Sequence, residues 1–118
     1  MNEALAKSGH IVSVAPRMDS ETSRKMVLAK TYDMEIIQFI VPAHRDVPTY
    51  EAQGEVILHC LEGRVSVVAL GNAHDLKAGQ LLYLSKNEPF SIQGIEHASI
   101  LATIVSAKQG SNVDVIGD

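Results

Sequence analysis

The stretch Tyr50-Glu51-Ala52-Gln53-Gly54-Glu55-Val56-Ile57-Leu58-His59-Cys60-Leu61-Glu62-Gly63, YEAQGEVILHCLEG in one-letter code, decides how the rest of the chain is read. Glu55 to Leu61 is a strand-length apolar run bounded by glycines, and its branched residues favour extended backbone. Val56 to Leu61 is apolar on both faces, as is Leu81 to Leu84. A sheet with one wet face does not tolerate that pattern, so both faces are expected to be covered, by a second sheet of the same chain or by a second copy of it. A homodimer is expected on that ground.

Working outward, short runs of Val, Ile and Leu alternate with turn residues along the chain, which predicts an all-β sandwich or barrel. Strands are predicted at His10 to Val14, Lys25 to Ala29, Met34 to Val41, Glu55 to Leu61, Arg64 to Leu70, Ala73 to Leu76, Gln80 to Leu84, Phe90 to Gln93 and Ala98 to Val105. Gly71-Asn72 tolerates positive φ and predicts a tight hairpin. Met1 to Ser8 is read as loose chain or one helical turn, and Arg17 to Arg24 as a polar connector. Residues 1–33 then form an N-terminal segment with edge strands, 34–107 the barrel, and 108–118 a tail in which Val113 and Val115 are candidates for a last short strand. The whole is one domain.

Ten Lys and Arg stand against fourteen Asp and Glu, for a formal net charge of -4. The basic residues are scattered singly apart from Arg24-Lys25, so no footprint for a nucleic-acid backbone is present. The apolar runs fall short of the roughly twenty residues of a membrane helix, so no membrane partner is expected. A single cysteine, Cys60, rules out an intramolecular disulfide, and residues 1–20 lack the apolar core of a signal peptide. A cytoplasmic address is expected. No Gly-x-Ser-x-Gly elbow or glycine-rich phosphate loop occurs.

Leu61-Glu62-Gly63-Arg64-Val65, Lys77-Ala78-Gly79 and Pro89 before Phe90 frame two motifs. On these residues the chain resembles the small single-domain cupins, whose fold is a double-stranded β-helix, the RmlC-like jelly-roll barrel. The family's first motif is G(X)5HXH(X)3,4E(X)6G and its second G(X)5PXG(X)2H(X)3N. With Gly63 closing the first, the glutamate position is Val56, the histidine positions are Ala52 and Tyr50, and the opening glycine is His44. With Gly79 opening the second, the proline position is Ser85, the inner glycine Asn87, the histidine Phe90 and the asparagine Gly94. The resemblance spans about Ile36 to Val105 and rests on spacing and framing residues.

In that family the two histidines, the glutamate and the last histidine hold a divalent metal. Here the four positions carry Tyr50, Ala52, Val56 and Phe90; three have no donor atom, and a neutral phenol is a poor ligand. No metal and no other cofactor is expected. The histidines at 10, 44, 59, 74 and 97 include no pair two, three or four apart. His59 has the opposite parity to Val56 and is expected at a sheet surface or dimer interface. His74 is read as a solvated hairpin residue and His97, beside Glu96, as exposed. His44 is the best placed, on the loop into the barrel with Asp46 two residues on. Cys60 shares the inward parity of Val56 and Leu58 and is expected to be an inert thiol with a raised pKa.

Two readings of the interior remain. In the favoured one, Tyr50 and Phe90 fill the volume of the lost site. In the other, Tyr50, Ala52, Val56 and Phe90 line a pocket for a small apolar or aromatic ligand, with His44, Leu58, Cys60 and Tyr83 at its wall or rim. His44 or Glu51 is the expected partner of the Tyr50 hydroxyl. The expected role is a metal-free binding or sensing module. The alternative is a cupin enzyme of isomerase, lyase or oxygenase type around His44, Asp46, Tyr50 and Tyr83. A third reading makes the domain chiefly an interaction surface.

Overall fold

The computed structural model describes residues 7–14 and 21–106. Seven strands follow in order: β1 (Arg24–Lys30), β2 (Met34–Val41), β3 (Asp46–Tyr50), β4 (Gly54–Ala69), β5 (Asn72–Lys77), β6 (Leu81–Leu84) and β7 (Phe90–Ser106). All pair antiparallel, in the order β1-β2-β7-β4-β5, with β3 added to β7 and β6 to β4. The all-β jelly-roll barrel expected from the sequence is what the chain forms.

The two longest strands build the barrel. Through Gly54–Cys60, β4 pairs with Ile100–Ser106 of β7 and with β6; through Arg64–Ala69 it pairs with Phe90–Glu96 of β7 and with β5. Each of these two strands therefore runs through both halves of the one seven-stranded sheet. Where the sequence suggested a strand break at Glu62-Gly63, there is instead one bent strand with register irregularities between Cys60 and Val65. Val56, Leu58 and Cys60 face inward before the bend, and Val65, Val67 and Ala69 after it, so the inward set changes from even to odd positions. An extra residue in a ladder has that effect. Gly63 sits in the irregularity at φ 78°.

Three segments depart from expectation. Residues His10–Val14 form no strand; Ile11 is 95% exposed and has nothing to pack on. β3 was not anticipated because Pro48 interrupts its apolar pattern, and a proline is accommodated there because β3 is an edge strand. Gly94 to His97, expected as a loop, continues β7. The expectations for residues 1–6, 17–20, Val113 and Val115 fall outside the described residues.

Among the described residues, nothing covers the outer faces of β4 and β6. Ile57 is 39%, Tyr83 53% and Leu81 60% exposed, although their alternate neighbours Val56, Leu58 and Leu84 are buried. On the outer face of β2 and β7, by contrast, Gln38 and Ile40 are fully buried, and Gln38 Nε2 donates a 2.9 Å hydrogen bond to Ser99 Oγ. That bond satisfies two polar groups that burial would otherwise penalise.

The β4–β5 hairpin turns one residue earlier than expected, at Leu70-Gly71, with φ of 57° and 77°. Two positive φ values match the primed turns that suit strand twist, but a leucine there carries a steric cost. Leu70→Asn creates the favoured Asn-Gly pair and is expected to stabilise the chain by about 1 kcal/mol. Thermal unfolding should register a rise of about 4 °C; no change would mean that leucine bears no strain at this turn.

Candidate functional site

Of the four positions that the motif spacing aligns with the cupin ligands, three are buried and Tyr50 alone is partly open. Val56 is 0% and Phe90 1% exposed, at the floor of the barrel. Ala52 is buried near the mouth, and Tyr50 is half-buried. The Tyr50 ring packs edge-on to Phe39 at 6.0 Å and tilted against Phe90 at 5.7 Å between centroids. Rings at those separations are in contact, so no ligand fits between Tyr50 and Phe90. Leu58 and Cys60 are fully buried beneath them.

Two concavities flank Tyr50. One, of about 340 Å³, opens at the barrel mouth and is lined by Lys30, Glu35, Tyr50, Glu51, Ala52 and Ile104 among others. The second, of about 280 Å³, lies between the edges of β1 and β3, over Phe39, Val47 and Pro48. Sequence reasoning missed Glu35 and Lys25, although both were within reach of parity. Glu35 shares the odd positions of inward-facing Ile37, Phe39 and Val41, and Lys25 lies directly across the ladder from Phe39. The Lys25 ammonium rests 4.9 Å from the Tyr50 ring centre, a cation–π contact.

The electrostatics at the mouth keep Tyr50 protonated. Burial raises its pKa above the ordinary phenol value, and the negative charge of Glu35 adds to the rise. No hydrogen bond joins its hydroxyl to His44 or Glu51, the partners expected from sequence. His44 is exposed at φ 67°, its backbone N–H donating to the Gly94 carbonyl. Tyr83 faces outward and donates a 2.7 Å hydrogen bond to Glu55, which is the main cause of its raised pKa. The alternative constellation of His44, Asp46, Tyr50 and Tyr83 is therefore not assembled around either concavity.

The other expected residues fall as follows. His59 is half-buried on the outer face, as its parity required. His74 is tied rather than solvated, its Nδ1 lying 3.1 Å from the Val67 carbonyl. His97 reverses its expectation: both ring nitrogens are buried without a hydrogen-bond partner, because β7 runs on through this position. Cys60 is buried, its thiol donating toward the Glu62 and Gly63 carbonyls. Burial pushes its pKa from 9.0 to about 11, with a hydrogen bond to the Glu62 backbone opposing and the charge of Glu96 adding to the rise.

The folded chain thus keeps the Cys60 proton where the unfolded chain has lost it. That contribution is complete below pH 9 and disappears as pH rises through about 11. It amounts to on the order of 2–3 kcal/mol. Relative to Cys60→Ala, the wild-type chain should lose this much stability between pH 8 and 11 in urea unfolding; parallel pH profiles would contradict it.

Among the described residues, no three His, Cys, Asp or Glu side chains are grouped so that they could hold a metal ion. Tyr50, Ala52, Val56 and Phe90 offer one neutral phenol, which does not fit the metal of the cupin motifs. The backbone nevertheless keeps the register of those motifs. The four glycine positions are His44, Gly63, Gly79 and Asn87, with φ of 67°, 78°, 88° and 65°. Two of them retain the glycine conformation without the glycine.

No family model and no curated protein matches the sequence, and among the described residues no helix is long and apolar enough to cross a membrane. Solved structures match throughout. A conserved protein of unknown function from Streptococcus pyogenes is 13% identical, with TM-score 0.74 over 92% of this chain and 100% of that one. An RmlC-like cupin from Desulfovibrio desulfuricans is 19% identical, with TM-score 0.68 over 85% of this chain and 96% of that one. An RmlC-like cupin with a double-stranded β-helix from Methanocaldococcus jannaschii is 20% identical, with TM-score 0.68 over 83% and 94%. With the strand order and the four positive-φ positions, these likenesses identify the fold of this chain as that of a small RmlC-like cupin.

Proposed function

We propose that this chain is a small-molecule binding module that works without the metal of the cupin motifs, through the rim of the barrel around Tyr50. The observation that carries this is the contrast among the four former ligand positions. Val56 and Phe90 are sealed, whereas Tyr50 stays half-exposed between two concavities of about 280 and 340 Å³. Those volumes are at the lower end for small-ligand sites, roughly 300–1,000 Å³. The surroundings of Tyr50, Tyr83 and Cys60 do not prepare these three groups for acid–base catalysis. An effective catalytic group has a pKa near the working pH, yet Tyr50, Tyr83 and Cys60 are all displaced upward, away from it.

Elemental analysis of the purified chain tests the first half of the proposal: well under one equivalent of any transition metal is expected, and one equivalent of zinc, iron or nickel would overturn it. A screen of small aromatic compounds by chemical-shift perturbation tests the second. Hits should move amides near Tyr50 and weaken in Tyr50→Ala, and hits indifferent to that change would remove the rim as the site.

The exposed apolar face of Ile57, Leu81 and Tyr83 favours a second copy as a partner. Sedimentation should then give a dimer that Ile57→Glu converts to a monomer. A wild-type monomer would dismiss that partner and leave the rim untouched.

A further inference from the structure

The groove between β1 and β3 has a chemistry of its own. We infer that it selects ligands carrying a carboxylate on an apolar body, an inference that rests on the rim being a small-molecule site. Its floor is Phe39, Val47 and Pro48, and its charged lining residues are Arg24 and Lys25. Each strand that borders it contributes in a definite way. β2 supplies the Phe39 ring, β3 supplies Val47, Pro48, Thr49 and Tyr50, and β1 supplies Ser23 just before it, then Arg24 and Lys25. Among the described residues no carboxylate lines the groove, in a chain whose formal net charge is -4.

Neither cation is neutralised by a described residue. Arg64 has Asp75 as its partner at 2.8 Å, but Arg24 and Lys25 have no carboxylate partner among the described residues. Lys25 is directed to the groove by the ladder, since its place opposite buried Phe39 puts it on the inward face, and the Tyr50 ring holds its ammonium at the wall. An inward lysine on an edge strand also discourages edge-to-edge pairing, but that role requires neither the ring contact nor the second cation. A carboxylate over Lys25 would gain a charge-assisted hydrogen bond while its apolar body covers Phe39 and Val47; Arg24, opposite Ile40, projects to the other face and adds only longer-range positive charge. Edge protection alone would leave the groove indifferent to ligand charge.

Three probes of equal size separate these cases: phenylacetate, phenylacetamide and phenethylamine, titrated into the 15N-labelled full chain. Phenylacetate is expected to move the amides of residues 23–25, 47, 49 and 50 and to bind about tenfold more tightly than phenylacetamide, with phenethylamine weakest. Lys25→Gln should remove most of that tenfold preference and leave phenylacetamide unchanged; Arg24→Gln, on the opposite face of β1, should change it much less. Equal affinity for acid and amide, or a preference that survives both substitutions, would overturn the carboxylate class while the small-molecule site stands. If no probe moves these amides, the groove is not a site and the carboxylate class falls; if those of residues 30, 35, 51–53 and 104 around the mouth are silent as well, the rim proposal beneath it falls with it.

Discussion

Gly63→Ala is expected to leave the chain largely unfolded. A Cβ at this position would lie 2.0 Å from the His97 carbonyl oxygen and 2.7 Å from Ala98 Cα, both backbone atoms of the neighbouring strand. Neither can yield without breaking the β4–β7 ladder at its bend. The backbone is also at φ 78°, which costs a side chain about 1–2 kcal/mol before any clash. Together the two terms compare with the entire stability of an ordinary domain, about 5–15 kcal/mol. Gly71→Ala isolates the smaller term, because Gly71 has φ 77° and nothing within 4 Å of its built Cβ. Circular dichroism and urea unfolding should therefore record a loss of about 1–2 kcal/mol for Gly71→Ala and no cooperative transition for Gly63→Ala. Similar losses in the two variants would mean that the close approach of β4 and β7 is not what requires the glycine.

Phe90→Ala is expected to cost about 3–5 kcal/mol, the usual range for deleting a buried ring. Phe90 is 1% exposed, pairs with Tyr50 across one ladder and Ala69 across another, and its ring supports that of Tyr50. Removing it leaves an apolar void between the Tyr50 ring and the floor at Val56, and such voids stay dry and accept benzene-sized molecules. Added benzene should raise the thermal midpoint of the variant and leave that of the wild-type chain unchanged. A loss below about 1 kcal/mol would mean that the barrel relaxes around the missing ring. A wild-type chain stabilised by benzene to the same extent would mean that the interior is already open.

The fold was legible in this sequence for physical reasons that also mark where legibility ended. Short apolar runs and glycine spacing are local signals, and they delivered β2, β5, β6 and the positions of Gly63 and Gly79. The bend in β4 was read as a break because a bulge changes the inward parity, and parity within a single run cannot report a change in the middle of it. β3 was missed because the penalty of Pro48 depends on whether a strand is at an edge, a property of the sheet rather than of the segment. His10 to Val14 had the opposite problem: a strand-like composition with no neighbour to pair with.

The candidate site was half visible. Tyr50, Ala52, Val56 and Phe90 followed from motif spacing, but the charges around Tyr50 belong to strands that reach it only through pairing. Lys25 becomes inward by standing opposite Phe39, and Glu35 by sharing its alternation. His97 was misjudged because Glu96 beside it made the segment look wet, while the ring turns to the buried side of a continuous strand.

Because β4 and β7 each run through both halves of the one seven-stranded sheet, the two halves are the two ends of the same pair of ribbons, and they cannot swing apart like jaws. At the β1–β3 seam the borders are held differently: the Ser23 hydroxyl reaches the Asp46 carbonyl at 3.0 Å, and neither strand is laddered to the other. Among the described residues, widening that seam breaks one side-chain hydrogen bond and the contact of Lys25 with the Tyr50 ring, and leaves every backbone ladder intact. Ligand exchange there is consequently uncoupled from unfolding, and the slowest-exchanging amides of β4 and β7 should keep their protection whether the groove is occupied or vacant.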